Sequence, residues 1–180
     1  LFSSEWALSG YSYRRTVVVA EAPAGAAACH LRFTPFGSLC PTGSDLRIVD
    51  PTGRQIPHEL LRLGPGDQAE LLFEATQLRV CDRFSVYFGN PRAAPPSRWQ
   101  APGGVVLEVR KKGPGAGDSW VKFQDLFRKS TEVLGRGLRS KIFEGCNPFG
   151  RSENFVSFYR AWLKTEAAGD YLFATNSSDA

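Results

Sequence analysis

GSDLRIVDPTGRQIPHELLRL, residues 43–63, is the stretch on which the fold turns. At its centre, Asp50-Pro51-Thr52-Gly53 places a turn-starting Asp ahead of a Pro whose ring fixes φ at about −65°. Gly53 follows where a left-handed residue is wanted. The flanking arms, residues 45–49 and 54–60, are therefore expected to pair as an antiparallel hairpin. Working outward, residues 13–20, 29–33, 69–74 and 83–88 read as further short strands. Residues 21–25 and Gly64-Pro65-Gly66-Asp67 break them. In the last of these strands Phe84, Val86 and Phe88 alternate with Ser85 and Tyr87, the period of a sheet with one buried face.

Residues 89–104, GNPRAAPPSRWQAPGG, interrupt this pattern with four prolines and three glycines, which marks a boundary or an irregular connector. A strand is expected over 105–109. Asp118 and Ser119 are N-cap candidates for an amphipathic helix near 119–134, with Trp120, Phe123, Leu126 and Phe127 on one face. On this reading Trp120 packs the helix onto the sheet, and Gly135-Arg136-Gly137 ends it. Strand signals return at 139–143, 155–164 and 170–175. Short strands at turn-marked intervals predict a mainly β chain, an antiparallel β-sandwich of jelly-roll type. Helices do not alternate with strands, which argues against a parallel α/β fold.

Composition limits the function classes. The net charge of +4 comes from scattered basic residues rather than a dense basic stripe, so nucleic acid is not an expected partner. No apolar run approaches the roughly 18 residues of a membrane span. A chain that opens on Leu1 and holds no Met is expected to have had an upstream segment removed or left out. Cys29, Cys40, Cys81 and Cys146 lack C-x-x-C spacing, and two histidines do not supply a zinc site. The four thiols are either free or joined as disulfides.

There is no G-x-S-x-G elbow, and His30 and His58 lack companion motifs, so both are read as structural. Gly113-Pro114-Gly115-Ala116-Gly117 lacks the Lys-Ser/Thr ending of a phosphate loop, and its Pro removes a needed N–H. No catalytic residue is assigned. Sugar binders stack rings on exposed aromatics. Trp99, in the Pro-rich connector, is expected to be the most exposed of the four tryptophans; Trp162, in a strand with a core role as its default, is the second stacking candidate.

Two stretches resemble known families. Tyr11, Tyr13, Arg14 and Arg15, then Gly43, Ser44, Asp45 and Arg47, then Tyr87, Phe88, Gly89 and Asn90 follow the order of motifs in an uncharacterised β-sandwich domain family of large secreted bacterial proteins. This resemblance spans about residues 10–94 and implies a sandwich next to lectin-like modules. Residues 138–180 resemble the opening part of the anthrax protective-antigen-type β-sandwich, with LRSKIFEG as first strand and Gly169, Tyr171 and Phe173 matching its aromatic segment. It implies the incomplete start of a second sandwich, and a domain plan of 1–98, a connector over 99–137, and 138–180. Sugar-binding members of that family hold Ca²⁺ on an acidic pair. Here Asn176, Ser178 and Asp179 stand at that loop, and Ser178 replaces one carboxylate. Ca²⁺ is thus the implied cofactor, held weakly, because the ion takes six to eight oxygens, several of them charged. The alternative, favoured on charge count, is that these residues only shape a turn.

The expected function is a non-catalytic secreted or cell-surface bacterial module for carbohydrate binding or adhesion, outside the cell. The alternatives are a self-assembling subunit of a surface layer or filament, and an accessory module of a glycoside hydrolase. Expected partners are carbohydrate or other extracellular chains, including a further copy or a following fragment that completes the last sandwich.

Overall fold

The computed structural model of the chain describes residues 6–22, 28–63, 66–75, 78–143, 145–163 and 165–172. Among them the protein is mainly β, with three antiparallel sheets and a single short helix in a β-sandwich-like architecture. The chain divides into two units, Leu1–Gly103 and Gly104–Ala180.

The first unit carries β1 (Tyr13–Val18), β2 (Ala28–Phe33), β3 (Arg47–Val49), β4 (Gln55–Ile56), β5 (His58–Leu63), β6 (Ala69–Glu74) and β7 (Arg83–Phe88). They form one sheet in the order β1-β7-β3-β4 and a second in the order β2-β6-β5. Alternation along β7 sets its inner face, where Phe84, Val86 and Phe88 point into a core shared with Ile48, Ile56, Leu71 and Phe73. The other face is not wholly solvent-facing, because Tyr87 is buried there against Trp6 and Tyr11. Phe73 and Phe84 meet with ring centroids 5.1 Å apart. Burying each such side chain contributes roughly 1.5–3 kcal/mol, so this strip between the two sheets is the main source of stability in the unit.

The Asp50 hairpin forms, with Ile48 opposite Ile56 and Val49 opposite Gln55. Asp50 Oδ1 accepts the amides of Thr52 and Arg54, each at 2.9 Å, and Gly53 takes φ +89°. The return arm, however, is not one strand over 54–60. It stops at Ile56, and β5 joins β6 in the other sheet, with His58 opposite Phe73. Pro57 has no N–H to continue the first ladder, and its carbonyl accepts from Glu74 N at 3.0 Å in the second sheet.

The second unit carries β8 (Val105–Lys111), α1 (Trp120–Lys129), β9 (Val133–Arg139) and β10 (Phe155–Ala161), with sheet order β10-β8-β9. One sheet thus draws strands from both the expected connector and the segment after it. Ser119 caps α1, its hydroxyl accepting from Lys122 N at 3.4 Å. The helix ends at Lys129 rather than near 134. Ser130 Oγ donates to Leu126 O at 2.8 Å and accepts from Gly113 N at 2.9 Å. Arg110 closes the same end by donating to the carbonyls of Phe127 and Ser130, its guanidinium 4.1 Å from the Phe127 ring centroid.

The glycines expected to end the helix lie inside β9 instead. A Cβ at Gly135 would sit 2.4 Å from Phe149 Cγ, so the bare backbone makes room for that ring. The expected strand at 139–143 contributes only Arg139, and β10 ends at Ala161 rather than 164. Tyr171 and Leu172 are not in a strand, and 173–175 lie outside the described residues.

Candidate functional site

The three motifs of the first unit converge on Asp45. Its side chain is fully buried and accepts three backbone N–H groups, from Cys40 at 2.9 Å, Gly89 at 2.7 Å and Asn90 at 3.2 Å. Gly89 holds φ +81°, and a Cβ there would lie 2.5 Å from Tyr13 Cδ2, so the turn after β7 accepts only glycine. Arg47 donates to the carbonyls of Ser44, Leu46 and Ala94. Tyr87 is buried between Trp6 and Tyr11, edge-on to both at 5.6 and 5.9 Å, and its hydroxyl accepts Ala7 N at 3.0 Å. The motif thus builds a polar staple that ties β3 to the turn after β7. Its chemistry is structural: Asp45 accepts three backbone amides and also the Cys40 thiol, whose pKa burial and this carboxylate raise.

His58, in β5, is buried. Burial, with the nearby Arg47 charge, pushes its ring from the usual 6.5 to about 4, so it is held neutral. His30 is exposed on β2, where Nε2 meets Glu70 Oε1 at 3.0 Å and Arg32 adds a second contact at 3.4 Å. Among the described residues neither histidine is hydrogen-bonded to a Ser, Thr or Cys side chain. A cavity of about 80 Å³ opens by the hairpin between Asp50, Arg54, Glu74 and Asp82 over Phe84. Small-molecule sites usually take roughly 300–1,000 Å³. Burial raises Asp50, but the hydrogen bonds from Thr52 and Arg54 outweigh it and hold the carboxyl below its usual range. Among the described residues no group of His, Cys, Asp or Glu is arranged to hold a metal ion.

The sequence-derived site residues fare differently from one another. Asn176, Ser178 and Asp179 lie outside the described residues. All four cysteines carry free thiols. Trp99 is half-buried in the connector, which packs against the first unit: Ala101 is buried and donates its amide to Glu59 at 3.2 Å. Trp162 is exposed, just past the end of β10, rather than in the core. Trp120 is also exposed and stacks on Phe123 with planes 15° apart, because α1 docks through Leu126 and Phe127 at its far end.

The arrangement most suited to a ligand lies at the open side of the first sandwich, where edge strand β1 and the turn after edge strand β2 both end in solvent-facing side chains. Tyr13, Arg15 and Val17 stand opposite Phe88, Val86 and Phe84, so they share the inner face of their sheet at its rim. Tyr13 stacks on Phe88 at 5.4 Å and keeps about half of its surface exposed. Phe36 and Gly37 take φ +52° and +70°, and Ser38 N donates to Pro35 O at 3.1 Å. Positive φ at both central positions is the sign pattern of a type I′ turn, which favours Asn-Gly. Here a Phe occupies the Asn position, 74% exposed, with the Arg15 guanidinium 5.0 Å from its ring centroid. Asp67 Oδ2 fixes the turn by accepting Gly37 N at 2.7 Å.

In the sequence Tyr13 and Arg15 stand at motif positions, whereas Phe36 belongs to no motif. The available signal was an aromatic residue set between Pro35 and Gly37, directly after a strand. No family model, curated protein or solved structure matches the chain.

Proposed function

We propose that the chain is a non-catalytic module of a secreted or cell-surface bacterial protein, and that it binds carbohydrate. The observation that carries this reading is Phe36. A bulky residue at positive φ is strained by about 1–2 kcal/mol, and burial of the ring does not offset that cost, because most of it faces solvent. Unrelieved strain of this kind clusters at ligand sites. Tyr13 adds a second exposed ring on the same rim, and a sugar presents apolar C–H faces that such rings take up. Both rings are mounted on a sheet edge and a pinned turn, so little ordering entropy is lost on binding.

A glycan array followed by calorimetry, each run with and without Ca²⁺, tests the proposal. Binding to at least one glycan class is expected. Silence across the array in both conditions overturns it.

Assembly is the second reading, and β1 favours it. Among the described residues this strand pairs only with β7, which leaves one backbone edge for another chain. Arg14 and Arg15 sit side by side on that edge, and such charges blunt pairing of one copy with another. Light scattering across a concentration series discriminates, since growth of mass with concentration supports assembly and a constant monomer mass contradicts it.

A further inference from the structure

We infer that the rim formed by Arg15, Phe36 and Tyr13 is a subsite for an acidic saccharide, in which a uronic-acid carboxylate meets Arg15 while the sugar ring lies against the aromatic side chains. The inference rests on the carbohydrate reading above and names the sugar class for it. Arg15 is half-buried, yet no hydrogen bond or ion pair engages its guanidinium; its one such contact among the described residues is the Phe36 ring. Three other partly buried or hairpin arginines are committed. Arg47 is bonded to three carbonyls, Arg110 to a helix end and to Glu108, and Arg54 to Asp50. Arg15 is therefore a planar cation with a fork of N–H donors left for a ligand.

That fork matches a carboxylate in two parallel hydrogen bonds, a fit that Lys cannot reproduce. Seating on Phe36 restrains the guanidinium, which lowers the entropy lost when it binds. Asp67 lies against the turn, and one of its oxygens is occupied by Gly37 N. Arg14 points to the opposite face of β1, where it lies 5.5 Å from the Trp6 ring, and it serves as the internal control.

The test is calorimetry of the whole chain with an oligogalacturonate and with the same oligosaccharide after its carboxyl groups are reduced to alcohols. The acidic probe is expected to bind, and the neutral one to bind on the order of tenfold or more weakly. Arg15→Gln should erase that preference, Arg15→Lys should restore part of it, and Arg14→Gln should leave it intact. Added salt should weaken the acidic probe selectively. Phe36→Gly should lose both probes while its melting temperature holds or rises, because glycine accepts positive φ without strain. A fall in binding without a fall in stability is an outcome that a purely structural role for Phe36 does not produce. Equal affinity for the two probes, or an unchanged preference in Arg15→Gln, overturns the acidic-sugar inference and leaves the carbohydrate reading standing. Absence of binding to these probes and to every glycan on the array removes both.

Discussion

At Asp45 a single carboxylate does the work that a run of backbone pairing does elsewhere. Its two oxygens hold Cys40, Gly89 and Asn90, residues that the strands themselves leave unpaired. Replacing Asp45 with Ala orphans those amides, each worth about 1–3 kcal/mol when left unsatisfied. Asp45→Ala should therefore lose at least about 3 kcal/mol, read as a shift of the guanidinium midpoint, and Asp45→Asn should lose less. His58 makes a second prediction. Its ring is held at about 4 in the folded chain and returns to its usual 6.5 when unfolded. The unfolded state thus takes up the proton first as pH falls, and stability follows. It is level above pH 6.5, declines by about 3 kcal/mol between 6.5 and 4, and is flat below. Glu108 acts in a lower window. Burial raises it, but hydrogen bonds from Arg136 and Arg110 prevail and hold it below its usual value, so its contribution is present above that value and lost beneath it. Denaturant melts of the native chain and His58→Gln at several pH values isolate the histidine, since the variant should lack the upper decline.

Elements that obey a local rule were legible in the sequence. The Asp50 turn, the alternation of β7 and the Ser119 cap each depend on residues within a few positions of one another. Elements set by distant partners were not. The return arm of the hairpin changes sheets at Pro57 because Glu74, far along the chain, takes its carbonyl. Gly135 and Gly137 looked like a helix stop, yet they lie in β9 because Phe149 packs against both. Trp120 and Phe123 share the expected helical face with Leu126, but Arg110 fixes only the far end of α1. The candidate rim was half legible: Tyr13 and Arg15 stood out as motif positions, whereas Phe36 is not a turn residue by propensity. The β9 account is testable. Gly135→Ala drives a methyl group into Phe149 and should destabilise the second unit by about 1–3 kcal/mol. Adding Phe149→Ala should return part of that loss in a double-mutant cycle, and strict additivity would show that the two residues do not interact.

At the scale of the whole molecule, the two units divide stability from exposure differently. The first is a closed two-sheet core whose motif residues are largely spent on holding it together, which leaves β1 and the Phe36 turn as its chemically available rim. The second is a three-stranded sheet with one helix, and it presents Trp120 and Trp162 to solvent. Exposed rings occur in both, so what is proposed is a place as much as a ligand: a carbohydrate site at the rim of the first unit. An amide-resolved NMR titration of the whole chain with oligogalacturonate tests this most directly. The account predicts shift changes concentrated at residues 13–18 and 34–38 that saturate together. Changes confined to residues around Trp120 and Trp162, or none at any concentration, would contradict it.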